Sequence, residues 1–184
     1  MTRAEQYAAQ FAVIDEAVRT TIAGCSEADW RRVCVDEGRT VGVVAHHIAT
    51  VEGLFAGVIR ALMAGQPASP GFSAEDVDQM NAQHAEAFAT VGKAATLDLL
   101  RTNGAALTDV IAALDDAQLE QIAGVFGGHE LRVAQVVEWA MIGHFQGHLA
   151  NIRATLAAGV GDDSVGKRHE PHRAPGVSGR GAFA

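Results

Sequence analysis

The sequence predicts an all-α fold, a four-helix bundle, on three observations. Only four prolines are present, and the hundred residues from Gly71 to Glu170 contain none, which suits long helices. Four long segments repeat apolar residues at three- and four-residue steps, the period of a helix with one buried face. No segment shows the alternation of a strand. Helices of about 20 residues bury such stripes against one another as a bundle.

The first helix is expected from Arg3 to Ala23, with Tyr7, Phe11, Ile14, Val18 and Ile22 on one face and Gly24 closing it. A loop follows, in which Ser26 and Asp29 can start a short turn. The second helix runs from Val41 to Ala64, capped by Thr40 and stopped by Gly65 and Pro67. Ser73, with Asp76 three residues on, opens an extra helical piece that ends near Val91 and Gly92. The third long helix spans Ala94 to Leu114. Asp115 to Glu130, containing Gly124, Gly127 and Gly128, reads mostly as loop. The fourth long helix spans Leu131 to Ala158. Residues 1–160 form the bundle domain, and residues 161–184, polar and Gly/Pro-containing, read as a disordered tail.

The net charge of −8 argues against nucleic acid and anionic lipid as partners. No apolar run approaches the roughly 20 residues that span a bilayer. MTRAEQYAAQ lacks the apolar core of a signal peptide, so the expected compartment is the cytoplasm. Cys25 and Cys34 have no metal-site or redox spacing and read as inert thiols. There is no GxGxxG, GxSxG or P-loop to support nucleotide or serine-hydrolase chemistry.

Three of the eight histidines have a geometric case as metal ligands. His144 and His148 are four apart, hence on one helix face about 6 Å apart along the axis. At 100° per residue both fall in the stripe of Val133, Val137, Ala140 and Met141, pointing inward. His47 falls in the second-helix stripe of Val43, Val44, Val51, Leu54, Phe55 and Val58. His46 lies about 100° away, at the rim. A buried imidazole without a partner costs about 1–3 kcal/mol, and one divalent cation would satisfy three at once. Three neutral nitrogens and one free position describe an open site of the catalytic kind. The bland alternative is three histidines hydrogen-bonded to neighbours, since an HxxxH pair also occurs by chance. Glu52 is expected to pair at the surface rather than support a ligand imidazole. Asn151 shares the inward face. His84 and His129 are expected to be exposed, and Trp30, Trp139 and Met141 to serve as core or rim packing.

Two segments resemble motifs of the DinB-like superfamily, which includes mycothiol-dependent maleylpyruvate isomerase and related bacterial thiol S-transferases. The first is TVGVVAHHIATVEGLF, Thr40 to Phe55, carrying His47 and Glu52. The second is MIGHFQGHLANIRATL, Met141 to Leu156, carrying His144 and His148. The resemblance covers roughly residues 1 to 158. It implies a left-handed up-down-down-up bundle with a long connection between the second and third helices. It implies zinc or nickel on the three histidines, and a thiol such as mycothiol or bacillithiol bound to the metal through sulfur. The expected activity is thiol S-transfer to a small electrophile. The alternatives are a metal-dependent hydrolase and a non-catalytic metal-binding bundle acting through dimerisation or partner binding.

Overall fold

Local capping sets most helix ends, and they fall close to where the sequence puts them. The computed structural model describes residues 1–66, 73–126 and 128–165. Thr2 caps α1 (Arg3–Gly24) in a reciprocal box with Glu5. Ser26 and Asp29 do the same for the short α2 (Glu27–Trp30). The next residues make a two-rung hairpin, β1 (Val33–Cys34) with β2 (Arg39–Thr40). Thr40 then accepts a hydrogen bond from the Val43 amide to start α3 (Val41–Met63). Ser73 and Asp76 box the start of α4 (Ala74–Ala87). The remaining elements are α5 (Lys93–Ala112), α6 (Asp116–Leu119), β3 (Ile122–Phe126), β4 (His129–Arg132), α7 (Val133–Gln135), a π-helical segment (Val136–Gly143) and α8 (His144–Val165).

The core lies among α1, α3, α5, the π segment and α8, with Phe11, Ile22, Ile48, Leu100, Leu107, Ile111, Met141 and Ile152 fully buried. α5 packs on both α1 and α3, and α8 closes the ring against the same two helices. Side-chain pairs give the helix senses. Tyr7 donates a hydrogen bond to Glu138, Phe11 packs on Phe145 and Arg153 reaches Thr21, so α1 and α8 run the same way. Lys93 bonds the Cys25 carbonyl while Asp15 lies against Gly104, so α5 runs opposite to α1. Asn103 donates to the Ala49 carbonyl at 2.8 Å and Arg60 to that of Ala106 at 3.5 Å, so α3 and α5 share a sense.

Two expectations fail here. Strands exist: β1–β2 and β3–β4 are antiparallel hairpins, and Asp115–Glu130 holds α6 and β3 rather than plain loop. The β3–β4 register shifts between Ile122 and Gly124, and most of its side chains are exposed, so no apolar alternation marks it. The second failure concerns the fourth long helix, which is not uniformly α. Over Val136–Gly143 it widens to i→i+5 bonding, so the segment takes up about one residue more than regular α-helix would. Its buried side chains step by four through Val137, Met141, Phe145 and Leu149. Trp139, read as packing, is 59% exposed.

α3 is long and apolar enough by composition to cross a membrane, but 61% of that window is buried inside the fold. It is the central core helix, and its burial accounts for its character. Cys25 and Cys34 are buried free thiols, and burial pushes the pKa of both up. α8 continues to Val165, five residues into the segment read as a tail, and residues 166–184 lie outside the described residues.

Candidate metal centre

The candidate centre forms where the N-terminal half of α3 meets the first two turns of α8. One ring nitrogen from each of His47, His144 and His148 lies within 4.8 Å of the others. The Nε2 atoms of His144 and His148 are 2.5 Å apart, within hydrogen-bonding distance of each other. The His47 ring stacks on His144 at 5.6 Å and stands edge-on to His148 at 5.1 Å. His47 Nε2 is buried and has no hydrogen-bond partner. Three imidazole nitrogens close together, one of them a buried orphan, are a donor set that suits a borderline-soft divalent ion. Among the described residues these three are the group so arranged.

Burial, reinforced by His148, Arg39 and His144 nearby, pushes His47 down to about 3, so its imidazole is neutral at ordinary pH. A neutral ring is the form that can ligate.

The two α8 histidines do not point into the core as expected. His144 is exposed and His148 is half-buried. The widened π turns advance the buried face by one residue, from the predicted 144 and 148 to Phe145 and Leu149. The imidazoles are left on the edge beside the apolar stripe.

His148 is held from behind by a residue that sequence reasoning missed. Its Nδ1 lies 2.7 Å from Glu37 Oε1, and Asn151 Nδ2 donates to the same oxygen at 3.2 Å. Arg39 donates to Glu37 Oε2 at 2.6 Å. Burial alone would raise the Glu37 carboxyl. The bonds and charge from His148, Asn151 and Arg39 outweigh it and hold the group at about 2. Glu37 is therefore an ionised carboxylate that holds the His148 ring at Nδ1 and leaves Nε2 facing His144, the kind of support a ligand imidazole receives. It sits in the β1–β2 turn, whose Gly38 takes a φ of 62°. Nothing near it in sequence signals the role, because its partner is 111 residues away.

Three other expectations are corrected. His46 is not at the rim: it is 8% exposed, against 6% for His47. α4 covers it, with His84 Nε2 at 3.0 Å from His46 Nδ1 and the Phe88 ring 3.9 Å from the His46 ring. His84, expected to be exposed, is half-buried in that contact. Helix phase still separates the adjacent pair, because His47 joins the cluster and His46 faces away to α4. Glu52 is not at the surface either. It is 0% exposed with both carboxylate oxygens unpartnered, and it stands apart from the three histidines among α1 and α3 side chains. Burial, with Asp15 nearby, pushes it up to about 9. Asn151 faces the site as expected, and His129 is exposed.

A cleft of about 370 Å³ opens onto the centre, lined by Asp36, Glu37, Arg39, His144, Gly147, His148 and Asn151. A larger cavity of about 420 Å³ lies against Trp30 and Lys93 and contains none of the three histidines.

The family model described as the DinB superfamily matches residues 10–152. No curated protein and no solved structure gives a significant match. The matched span holds the three histidines and Glu37, and covers well over half of the sequence. The chain belongs to the DinB superfamily.

Proposed function

We propose that the protein binds one divalent metal ion, zinc or nickel, through His47, His144 and His148, and transfers a low-molecular-weight thiol of the mycothiol or bacillithiol type to a small electrophile. The observation that carries the reading is the convergence of three imidazole nitrogens within 4.8 Å beside a cleft. Membership of the DinB superfamily supports it.

When bound, the ion supplies Lewis acidity that lowers the pKa of a thiol taking the remaining position, and thiolate suits zinc and nickel. The chain's own residues do the rest. His47 is fixed by its burial in α3, and His148 by Glu37, so two of the three donors are oriented before any ligand arrives. His144, exposed on the first turn of α8, faces the cleft where thiol and electrophile would meet. Arg39 and Asn151 line the same cleft and offer donors to polar groups of either substrate.

The test is metal analysis of the purified protein, followed by turnover of a haloarene with and without added thiol. A transferase contains about one ion per chain, as three donors make one site. It shows no turnover without thiol and stops when His148 is replaced by Ala. Turnover that needs the metal but not the thiol would replace this reading with hydrolysis by a metal-bound water.

A further inference from the structure

α4 is an unusual neighbour for a metal centre. None of its side chains is fully buried. Its half-buried positions, Val77, Asn81, His84 and Ala85, share one face. That face meets α3 through aromatic rings. His84 Nε2 lies 3.0 Å from His46 Nδ1, and Phe88 packs on both rings, at 3.9 Å from His46 and 4.8 Å from His84. The His84 ring also stands edge-on to His47, with centroids 5.4 Å apart.

Two ring nitrogens in this neighbourhood are buried with no partner: His47 Nε2 and His84 Nδ1. Buried orphaned acceptors are rare, and each calls for a cause. An ion on His47, His144 and His148 accounts for the first and leaves the second unexplained. One that also takes His84 accounts for both. His84 lies outside the tight three-residue cluster, so reaching the ion requires α4 to shift inward. Little opposes that shift, because α4 has no fully buried side chain to pull out of the core.

We propose that His84, carried on α4, is a fourth and displaceable imidazole donor to the ion held by His47, His144 and His148. The inference rests on the metal-binding part of the proposed function. The protein alone then completes a four-nitrogen shell, and an incoming thiol takes the place of His84 and releases α4 from the centre. In that exchange one lone-pair donor replaces another: the sulfur would take the position that His84 leaves, and the thiol proton would pass to solvent or to the released imidazole. His46 has a distinct part, holding the free His84 ring at the edge of the site through the Nε2···Nδ1 contact.

The experiment loads the full chain and its His84→Gln and His84→Phe variants with cobalt(II), and compares visible absorption and the imidazole count from X-ray absorption. Circular dichroism checks that each variant is folded, and zinc affinity is measured by competition titration. The wild type should show the intense band of a four-coordinate ion and four imidazoles, falling to three when a small thiol is added. Both variants should show three imidazoles, a weaker and shifted band, and a zinc Kd raised about tenfold, the equivalent of about 1.4 kcal/mol. Spectra indistinguishable from wild type, with zinc Kd within about twofold in both variants, would overturn the His84 assignment while leaving the three-histidine reading intact. A wild type that takes up no cobalt or zinc would overturn both.

Discussion

Glu37 shows how one carboxylate fixes the orientation of a nearby imidazole. It is ionised, nearly buried and bonded at once to His148, Asn151 and Arg39. Glu37→Gln keeps the shape and removes the charge, and should raise the Kd for zinc about tenfold or more in a calorimetric titration. An unchanged Kd would mean that Glu37 only braces the β1–β2 turn. Glu52 makes a different case, since its carboxyl is buried in the core with Asp15 and Arg19 as charged neighbours from α1. Its folded pKa of about 9 stands above the ordinary 4.5, so the folded state binds the extra proton between those values. Stability must then fall as pH rises through that window. A single proton contributes at most about 1.4 kcal/mol per pH unit, so the melting temperature should drop by up to about 10 °C between pH 6 and 9. Glu52→Gln should flatten that slope, as followed by thermal denaturation at several pH values. An equal slope in the variant would place its source elsewhere. Neither carboxylate reads correctly from sequence, because what fixes each is the company it keeps across the fold.

At the scale of elements, the ends of helices were legible and the phase of one was not. Thr40, Ser73 with Asp76, and Gly24 act within a few residues of themselves, so α1, α3 and α4 begin or end close to where those residues say. The His47 position was legible for the same reason: α3 is regular from its cap onward, and 100° steps place His47 and His46 on different faces. The α8 histidines were misplaced because the 100° rule fails across Val136–Gly143. One surplus residue is accommodated there, so removing one should restore regular α geometry without turning α8. Deletion of Trp139, the exposed large apolar side chain of the segment, should leave metal stoichiometry unchanged and the melting temperature within about 5 °C, a shift of order 1–2 kcal/mol. Loss of metal with the helix content intact would show that the widened turns serve the site in another way. The β3–β4 hairpin was illegible for a simpler reason. It buries little, and burial is what writes a pattern into a strand.

For the whole molecule, a bundle of long helices followed from periodicity and from the absence of proline. The order of packing around it, α1 to α5 to α3 to α8, rests on pairs far apart in sequence, such as Asp15 with Gly104 and Tyr7 with Glu138. The three histidines and Glu37 all lie within the described residues up to α8. A chain ending at Val165 should bind zinc with a Kd within about twofold of the full chain, a difference of less than about 0.5 kcal/mol. A larger loss in competition titration would bring residues 166–184 into the site.

The widened turns ahead of His144 also set how readily the centre could vanish. The ligands' place on the surface depends on a count of residues upstream, as the setting of a dial depends on its stop. If all eight residues from Val136 to Gly143 wound as ordinary α-helix, everything beyond would turn by about one residue, roughly 100°. Phe145 and Leu149 would swing out to water and the two imidazoles into the core. Every histidine would still be present in the sequence, but His148 would be turned away from Glu37 and both imidazoles from the cleft they now line.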